Sequence, residues 1–426
     1  MLVVVALVAI AGVAPTAKAQ DGGPESTEQL QGTFRDTKDT RDRADDEPVE
    51  GIRVIVRDAA GEEVDSVTTD EDGHWEVGVP GPGSYDVEVD TDSLPEGIEL
   101  REGDRTVLTV SLNPSQSRTV NFPLGADTRH TLGGLENFLQ KVLLGINFGL
   151  IVAMMSIGLS LIFGTTGLVN FAHAEMVTFG GLAAYFFNQT LGLHIIPAGI
   201  LAVIIGGLAG GLFDLGVWRP LRRRKTGLIA MLVVSIGLSL LFRYIFLYQF
   251  GGRTKPFSDY FLQKAVDLGP VSVAPRDLWS IGLSLVVLVV VGLLLQLTRI
   301  GKGMRAVADN PDLAESSGID VDSVILAVWI SGGALAALGG VLLGLAEQVG
   351  FEMGFKQLLL VFAGITLGGL GTAYGALVGG FIIGLVVQVS TVWVPPELNA
   401  VTALAVLIAI LLVRPQGILG RAERIG

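Results

Sequence analysis

Cysteine is absent from all 426 residues, so neither a disulfide nor a thiolate metal site can hold any part of the chain together. An exported domain would have to be stabilised by its own core. No G-x-x-x-x-G-K-[ST] occurs, so there is no phosphate-cradling loop and the chain cannot hydrolyse ATP by itself. Gly301-Lys302-Gly303 echoes that motif but lacks its first glycine and its hydroxyl. Neither H-E-x-x-H nor a nucleophile elbow is present, and the 4 histidines, at positions 74, 130, 173 and 194, show no ligand spacing. An enzymatic role is thereby left without catalytic residues, and neither a metal nor a cofactor is expected. Basic stripes are missing as well, and a formal net charge of −13 gives nucleic-acid binding no support.

Charge itself is scarce. Only 17% of residues are charged while 50% are hydrophobic, and the mean hydropathy of +0.57 is too high for a soluble chain of this length. The average conceals two halves. Residues 20–130 hold 27 Asp/Glu against 10 Lys/Arg, whereas residues 131–426 hold 15 against 18. The acidity belongs to the front of the chain.

Met1 to Ala14 is almost wholly apolar, and Ala17-Lys18-Ala19 before Gln20 has the small-x-small form of a signal-peptidase site, which predicts an export signal over 1–19. No positively charged region precedes the apolar run, which fits a mis-assigned start codon or, as the second alternative, an uncleaved anchor helix. Either way, the acidic front half from Gln20 onward is placed outside the cytoplasm. Residues 20–50 are rich in Asp, Glu, Thr, Gly and Arg, and are expected to form a disordered acidic linker. From Gly51 the pattern has period two, at Ile52, Val54 and Val56, at Trp75, Val77 and Val79, and at Tyr85, Val87 and Val89. Turn signals separate these runs, so a small β-sandwich of seven strands or fewer is expected over 51–124.

After Leu124 the texture changes. Between Lys141 and Arg219 the only formal charges are Glu175 and Asp214, and residues 357–396 carry none. About twenty apolar residues cross a bilayer once. The expected fold class is therefore a polytopic all-α membrane protein of about nine spans behind the β domain, with spans near 142–164, 168–187, 195–217, 227–249, 278–298, 323–346, 357–371, 374–394 and 398–413. Cytoplasmic loops collect Lys and Arg, and Arg219, Arg222, Arg223, Arg224 and Lys225 cluster in one loop. A β domain outside and a basic tail inside require an odd number of spans. Small-xxx-small pairs such as Gly206/Gly210, Gly364/Gly368 and Gly375/Gly379 predict closely packed helices. The Gly-rich breaks at 164–167 and 368–375 also resemble each other in texture, a pointer to an inverted repeat.

Two segments carry polar chemistry. Leu168 to Glu175 opens the second span, with Asn170 and His173 three apart and expected on one helical face. They either line or shape a conduit or act as interhelical hydrogen-bond glue. Arg299 to Ile319 reads as two short amphipathic helices, with Asp309 or Asn310 capping the second, Pro311 at its first position and Gly318 ending it. Met304, Val307, Ala308, Leu313, Ala314 and Ile319 form an apolar set too small for a core, so this element is expected to dock on something.

Leu159 to Glu175 (LSLIFGTTGLVNFAHAE) and Arg299 to Asp322 (RIGKGMRAVADNPDLAESSGIDVD) resemble the signature regions of LivH-type branched-chain amino-acid ABC transporter permeases, over roughly residues 138–420. Thr69 to Tyr85 resembles the carboxypeptidase-regulatory, transthyretin-like modules. The first resemblance implies a multi-pass cell-membrane permease that works with ABC ATPase subunits, a second permease subunit and an extracytoplasmic substrate-binding protein. It also implies an ATPase-coupling loop of Gly301, Arg305, Ala306, Ala308, Asn310, Pro311, Ala314, Gly318 and Ile319. The sequence departs at Ala174, where the family usually has glycine. Permeases for urea, short amides or sugars share the architecture, and a channel or secondary transporter without an ATPase, or an anchored envelope protein, remain rival classes.

Overall fold

The computed structural model describes residues 28–36, 47–95, 98, 100, 106–112, 117–120, 122, 124, 134–258, 263, 265–269, 271–414 and 416–420. The expected export signal at 1–19 lies outside them. The chain divides into two units, one over residues 15–132 and one running from residue 133 onward.

In the first unit, β4 (Arg53–Asp58), β5 (Glu63–Thr68), β7 (Gly83–Val89) and β8 (Val107–Leu112) form an antiparallel sheet in the order β5-β4-β7-β8. A second sheet has the order β6-β1-β9, from β1 (Glu28–Thr33), β6 (His74–Val79) and β9 (Ser117–Thr119), and the short β2 (Arg35–Asp36) and β3 (Glu47–Pro48) pair with each other. Val54, Val56, Tyr85 and Val87 of one sheet share a buried core with Leu30, Trp75 and Val77 of the other, which makes the unit a sandwich. Alternation explains the two faces: successive strand side chains point opposite ways, so every second residue of Trp75-Glu76-Val77-Gly78-Val79 is buried.

The structure corrects one expectation here. The linker expected over 20–50 contains β1, which pairs antiparallel with β6 and parallel with β9. Its buried positions are Glu28, Leu30 and Gly32, so only one of three inward residues shows as apolar. Gly32 is needed because a Cβ there would run into the Val120 carbonyl oxygen and the Trp75 ring. Phe34, fully buried, stacks on Phe122 at 5.8 Å and extends the same core.

The second unit is helical: α1 (Gly134–Thr166), α2 (His173–Tyr185), α3 (Ile195–Phe213), α4 (Arg219–Arg223), α5 (Leu228–Phe250), α6 (Pro275–Leu297), α7 (Arg299–Asp309), α8 (Pro311–Ser316), α9 (Val321–Glu347), α10 (Met353–Gly368), α11 (Ala373–Ser390) and α12 (Asn399–Val413). The nine expected spans overlap nine of these helices, but the one expected over 168–187 meets a helix of only 13 residues, α2. Among the described residues six are long and apolar enough to cross a membrane, while α10 and α12 are shorter apolar helices. A π-helical turn, Asp214–Trp218, joins α3 to α4.

The predicted glycine pairs are packing surfaces. A Cβ at Gly206 would clash with Ala337, and one at Gly210 with the Trp329 carbonyl oxygen, so α3 lies backbone-close on α9. Gly364, Gly368, Gly375 and Gly379 do the same between α10 and α11, and Gly384 meets Gly149 of α1. The two Gly-rich breaks also meet, since a Cβ at Gly164 would lie 2.7 Å from the Gly371 carbonyl oxygen.

Contacts sort the connections into two faces. On one, residues 254–258 pair with the 349 region and with Asn188, and Gln140 bonds Ser272. On the other, Gly164 meets Gly371, Leu419 donates its N–H to Gly368, and Arg219 reaches Asp322. The α7–α8 element sits on this second face.

Candidate functional site: the capped helix pair after α6 and the buried polar cluster of α2

The helix ends of the α7–α8 element are closed by side chains and by one glycine that the local sequence supplies. Thr298 donates its hydroxyl to Leu294 O at 2.6 Å and accepts Gly301 N–H at 3.0 Å, ending α6 and capping α7 in one residue. Arg305 reaches back to donate to Leu295 O at 2.8 Å, satisfying another carbonyl at the end of α6. Gly301 permits this fold-back, because a Cβ would press on the Leu294 and Leu295 carbonyls. Asn310 then leaves helical geometry and its Oδ1 accepts Leu313 N–H at 3.0 Å, while Pro311 occupies the first helical position of α8. Gly318, at φ +85°, closes α8 by letting Ile319 N–H return to Ala314 O at 3.1 Å. Asp320 caps α9, accepting Ser323 N–H at 3.1 Å and the Ser323 hydroxyl on its other oxygen. Those two bonds, the hydroxyl one first, hold the Asp320 carboxyl below the usual carboxylate range.

The expected apolar set divides in two. Met304, Val307 and Ala314 are buried in the same core as the spanning helices, together with Gly301 and Gly303. They anchor the element to its own chain, because the apolar stripe of α7 packs into the core of the spanning helices. Ala306 and Ile319 are half-buried. Of the expected residues, Arg305, Ala308, Asn310, Pro311, Gly318 and Leu313, the last at 65% exposure, face outward, beside Ile300 at 58% and the charged Lys302, Asp309, Asp312 and Glu315. Ile300 is missing from the expected set although its apolar character was visible. The arrangement is a capped knuckle whose outward side mixes apolar, polar and charged residues.

The second segment differs from its expected form. Asn170 does not share a helical face with His173: it lies in the break before α2, where its Oδ1 accepts Ala172 N–H at 3.1 Å. Asparagine favours such turns because its side chain substitutes for a backbone acceptor. His173 begins the helix, fully buried, with Nε2 3.1 Å from the Met155 carbonyl of α1, which requires the proton on Nε2. Glu175, 2% exposed, accepts on Oε1 from the Ser239 hydroxyl at 3.0 Å and from Arg243 Nε and Nη2 at 3.2 and 3.0 Å. The Arg243 guanidinium lies 3.4 Å from the centroid of the Phe355 ring. Ser235, Ser239 and Arg243 recur every fourth residue, so one seam of α5 grips the α1–α2 break, with Ser235 Oγ accepting Phe171 N–H at 3.2 Å.

Arg243 is the one charge between Lys225 and Arg253, and its role has no local signal. Its carboxylate partner is 68 residues away, and no local spacing connects them.

A unit with six helices, among the described residues, long and apolar enough to cross a bilayer defines a multi-pass membrane protein. The chain belongs to the family described as "Branched-chain amino acid transport system / permease component", whose profile matches residues 142–411. Residues 40–125 match the family described as "Carboxypeptidase regulatory-like domain". The chain is 30% identical over 310 residues to the high-affinity branched-chain amino acid transport system permease protein LivH of Escherichia coli (strain K12), covering 67% of this chain and 96% of that one. It is 27% identical to BraD, the corresponding high-affinity permease protein of Pseudomonas aeruginosa, over 68% of this chain and 98% of that one. A probable LivH of Methanocaldococcus jannaschii is 27% identical, over 67% and 94% of the two chains. Among solved structures, PsaBC from Streptococcus pneumoniae in complex with Fab aligns with 66% of this chain and 92% of that one, at 12% identity and a TM-score of 0.37, too distant to argue from.

Proposed function

We propose that this chain is the membrane-spanning permease of an ATP-driven importer that brings branched-chain or related amino acids into the cytoplasm. ATP is hydrolysed by separate ABC ATPase subunits. A second permease subunit and an extracytoplasmic binding protein complete the assembly, and the β-sandwich stands on the outer side. The observation that carries this reading is the α7–α8 knuckle, fixed to the spans by Arg305, Met304 and Val307 and offering Ala308, Asn310, Pro311 and Leu313 outward. Such an element passes a push inward without bending, which is what coupling to a nucleotide-driven partner requires.

Orientation is argued from charge. The face that bears the knuckle also bears Arg219, Arg222, Arg223, Arg224, Lys225, Arg299, Lys302 and Arg414, which favours the cytoplasm. Asn170 and His173 shape the wall of the pathway from behind, by holding the α1–α2 break in register, rather than touching cargo.

Uptake of labelled leucine, urea and ribose by the complex reconstituted with its ATPase and binding protein tests the assignment. ATP-dependent accumulation of leucine alone is the expected result. Accumulation of urea or ribose instead would move the chain to another cargo class, and leucine flux by the isolated chain without ATP would remove it from this class of transporter.

A further inference from the structure

The helix that follows the knuckle, α9, is clasped at its first turn to α4, the short helix that continues α3. Asp322, in the first turn of α9, places Oδ2 2.9 Å from Arg219 Nε, 2.7 Å from Arg219 Nη2 and 3.0 Å from Arg223 Nη2. Arg219 and Arg223 stand one turn apart on α4, so both reach the same oxygen. Between them Arg222 points the other way and pairs with the fully buried Asp214 at 2.7 Å. α4 is thus held by carboxylates on two sides.

This clasp lies where relative motion of α3 and α9 would concentrate. Further along, the two helices are locked by the close approach of Gly206 and Gly210 to Ala337 and Trp329. Between that lock and the clasp, the helix passes through the π-helical turn Asp214–Trp218. Such turns are irregular points of a helix, frequently placed at functional sites. On the α9 side the chain passes from Ile319 to Asp322 in three residues, with Asp320 capping the helix on the way. A displacement of α8 therefore arrives at Asp322 before any slack in the chain can absorb it.

We propose that Asp322 is a positioning residue of the transport cycle: through Arg219 and Arg223 it passes movement of the knuckle to α3, which then moves with α9 as one body. The proposal rests on the importer reading of this chain. An ordinary surface ion pair of this exposure contributes little to stability, so the clasp matters by linking two elements rather than by holding the fold.

The test uses the full complex in liposomes, with its ATPase and binding protein, measuring labelled leucine imported and ATP hydrolysed together. Asp322→Asn and Arg219→Gln are expected to raise the ATP consumed per leucine imported about fivefold or more, the lower end of ordinary allosteric coupling. Asp322→Glu is expected to restore the wild-type ratio, and the double variant Asp322→Asn with Arg219→Gln to be no worse than either single one. Copurification of the ATPase at wild-type yield separates this effect from misfolding. Wild-type ratios in Asp322→Asn and Arg219→Gln, or uptake and hydrolysis falling in strict proportion, would overturn the proposal. Failure of the wild-type complex itself to import leucine on ATP would instead remove the importer reading on which it stands.

Discussion

Replacing Arg243 by methionine would leave the Glu175 carboxylate buried beside α5 with only the Ser239 hydroxyl as a partner. Glu175 is 2% exposed and the Arg243 side chain 13%, so water cannot take over the lost contacts. Breaking a buried pair by removing one member costs about 3–5 kcal/mol, because the remaining charge is stranded. The lost stacking of the guanidinium on Phe355 adds to this, since a desolvated cation–π contact contributes on the order of 2 kcal/mol. Removing both charges, as Glu175→Gln with Arg243→Met, leaves no uncompensated ion and should cost less than half as much as Arg243→Met alone. Unfolding of the purified protein in detergent, followed by tryptophan fluorescence from the stacked Trp218–Trp329 pair, measures Arg243→Met, Glu175→Gln and the double variant. A loss below about 1 kcal/mol for Arg243→Met, the range of exposed pairs, would refute the view that this pair is buried and holds α5. A double variant worse than either single one would refute it equally.

The same contacts set other expectations. Gly340→Ala pushes a Cβ into the Val177 carbonyl and should cost about 1–3 kcal/mol, whereas Gly282→Ala, with nothing within 4 Å, should gain about 0.5–1 kcal/mol by the same unfolding assay. Leu30→Ala should destabilise the β-sandwich by about 2–5 kcal/mol in thermal unfolding, while the same change in a free linker would cost nothing. Asp320→Ala should lower the melting temperature at neutral pH. Because the folded carboxyl titrates below its unfolded value, that stabilisation is present above the usual carboxylate range and fades as pH falls through it, so wild type and variant should converge in acid.

Much of this architecture was legible from residue patterns, and the exceptions have physical causes. Strands β4, β6 and β7 announce themselves because each inward residue is Val, Trp or Tyr. β1 does not, since glutamate and glycine take two of its three inward positions. The caps of α7 and α8 are readable from Asn310, Pro311 and Gly318, because helix ends are decided by local hydrogen bonding. Which side of the knuckle faces the spans was not readable, as both sides offer apolar residues and only packing distinguishes Val307 from Leu313. The ion pairs Arg243–Glu175 and Arg219–Asp322 join residues 68 and 103 positions apart, and long-range pairing leaves no trace in local spacing. Asn170 was expected on a helix because the surrounding residues are apolar, but its side chain serves the turn that precedes α2.

The complete lack of cysteine allows a single reactive group to be placed on the knuckle without background. Leu313→Cys, at 65% exposure on the outward side of α8, can be treated with a short bifunctional thiol–amine reagent in native membranes. The account predicts one dominant cross-linked product containing an ATP-hydrolysing subunit, and its loss when the cysteine is moved to the buried Val307. Recovery of no nucleotide-hydrolysing partner from Leu313→Cys, in membranes that transport normally, would contradict the claim that this knuckle is where ATP-driven movement enters the permease.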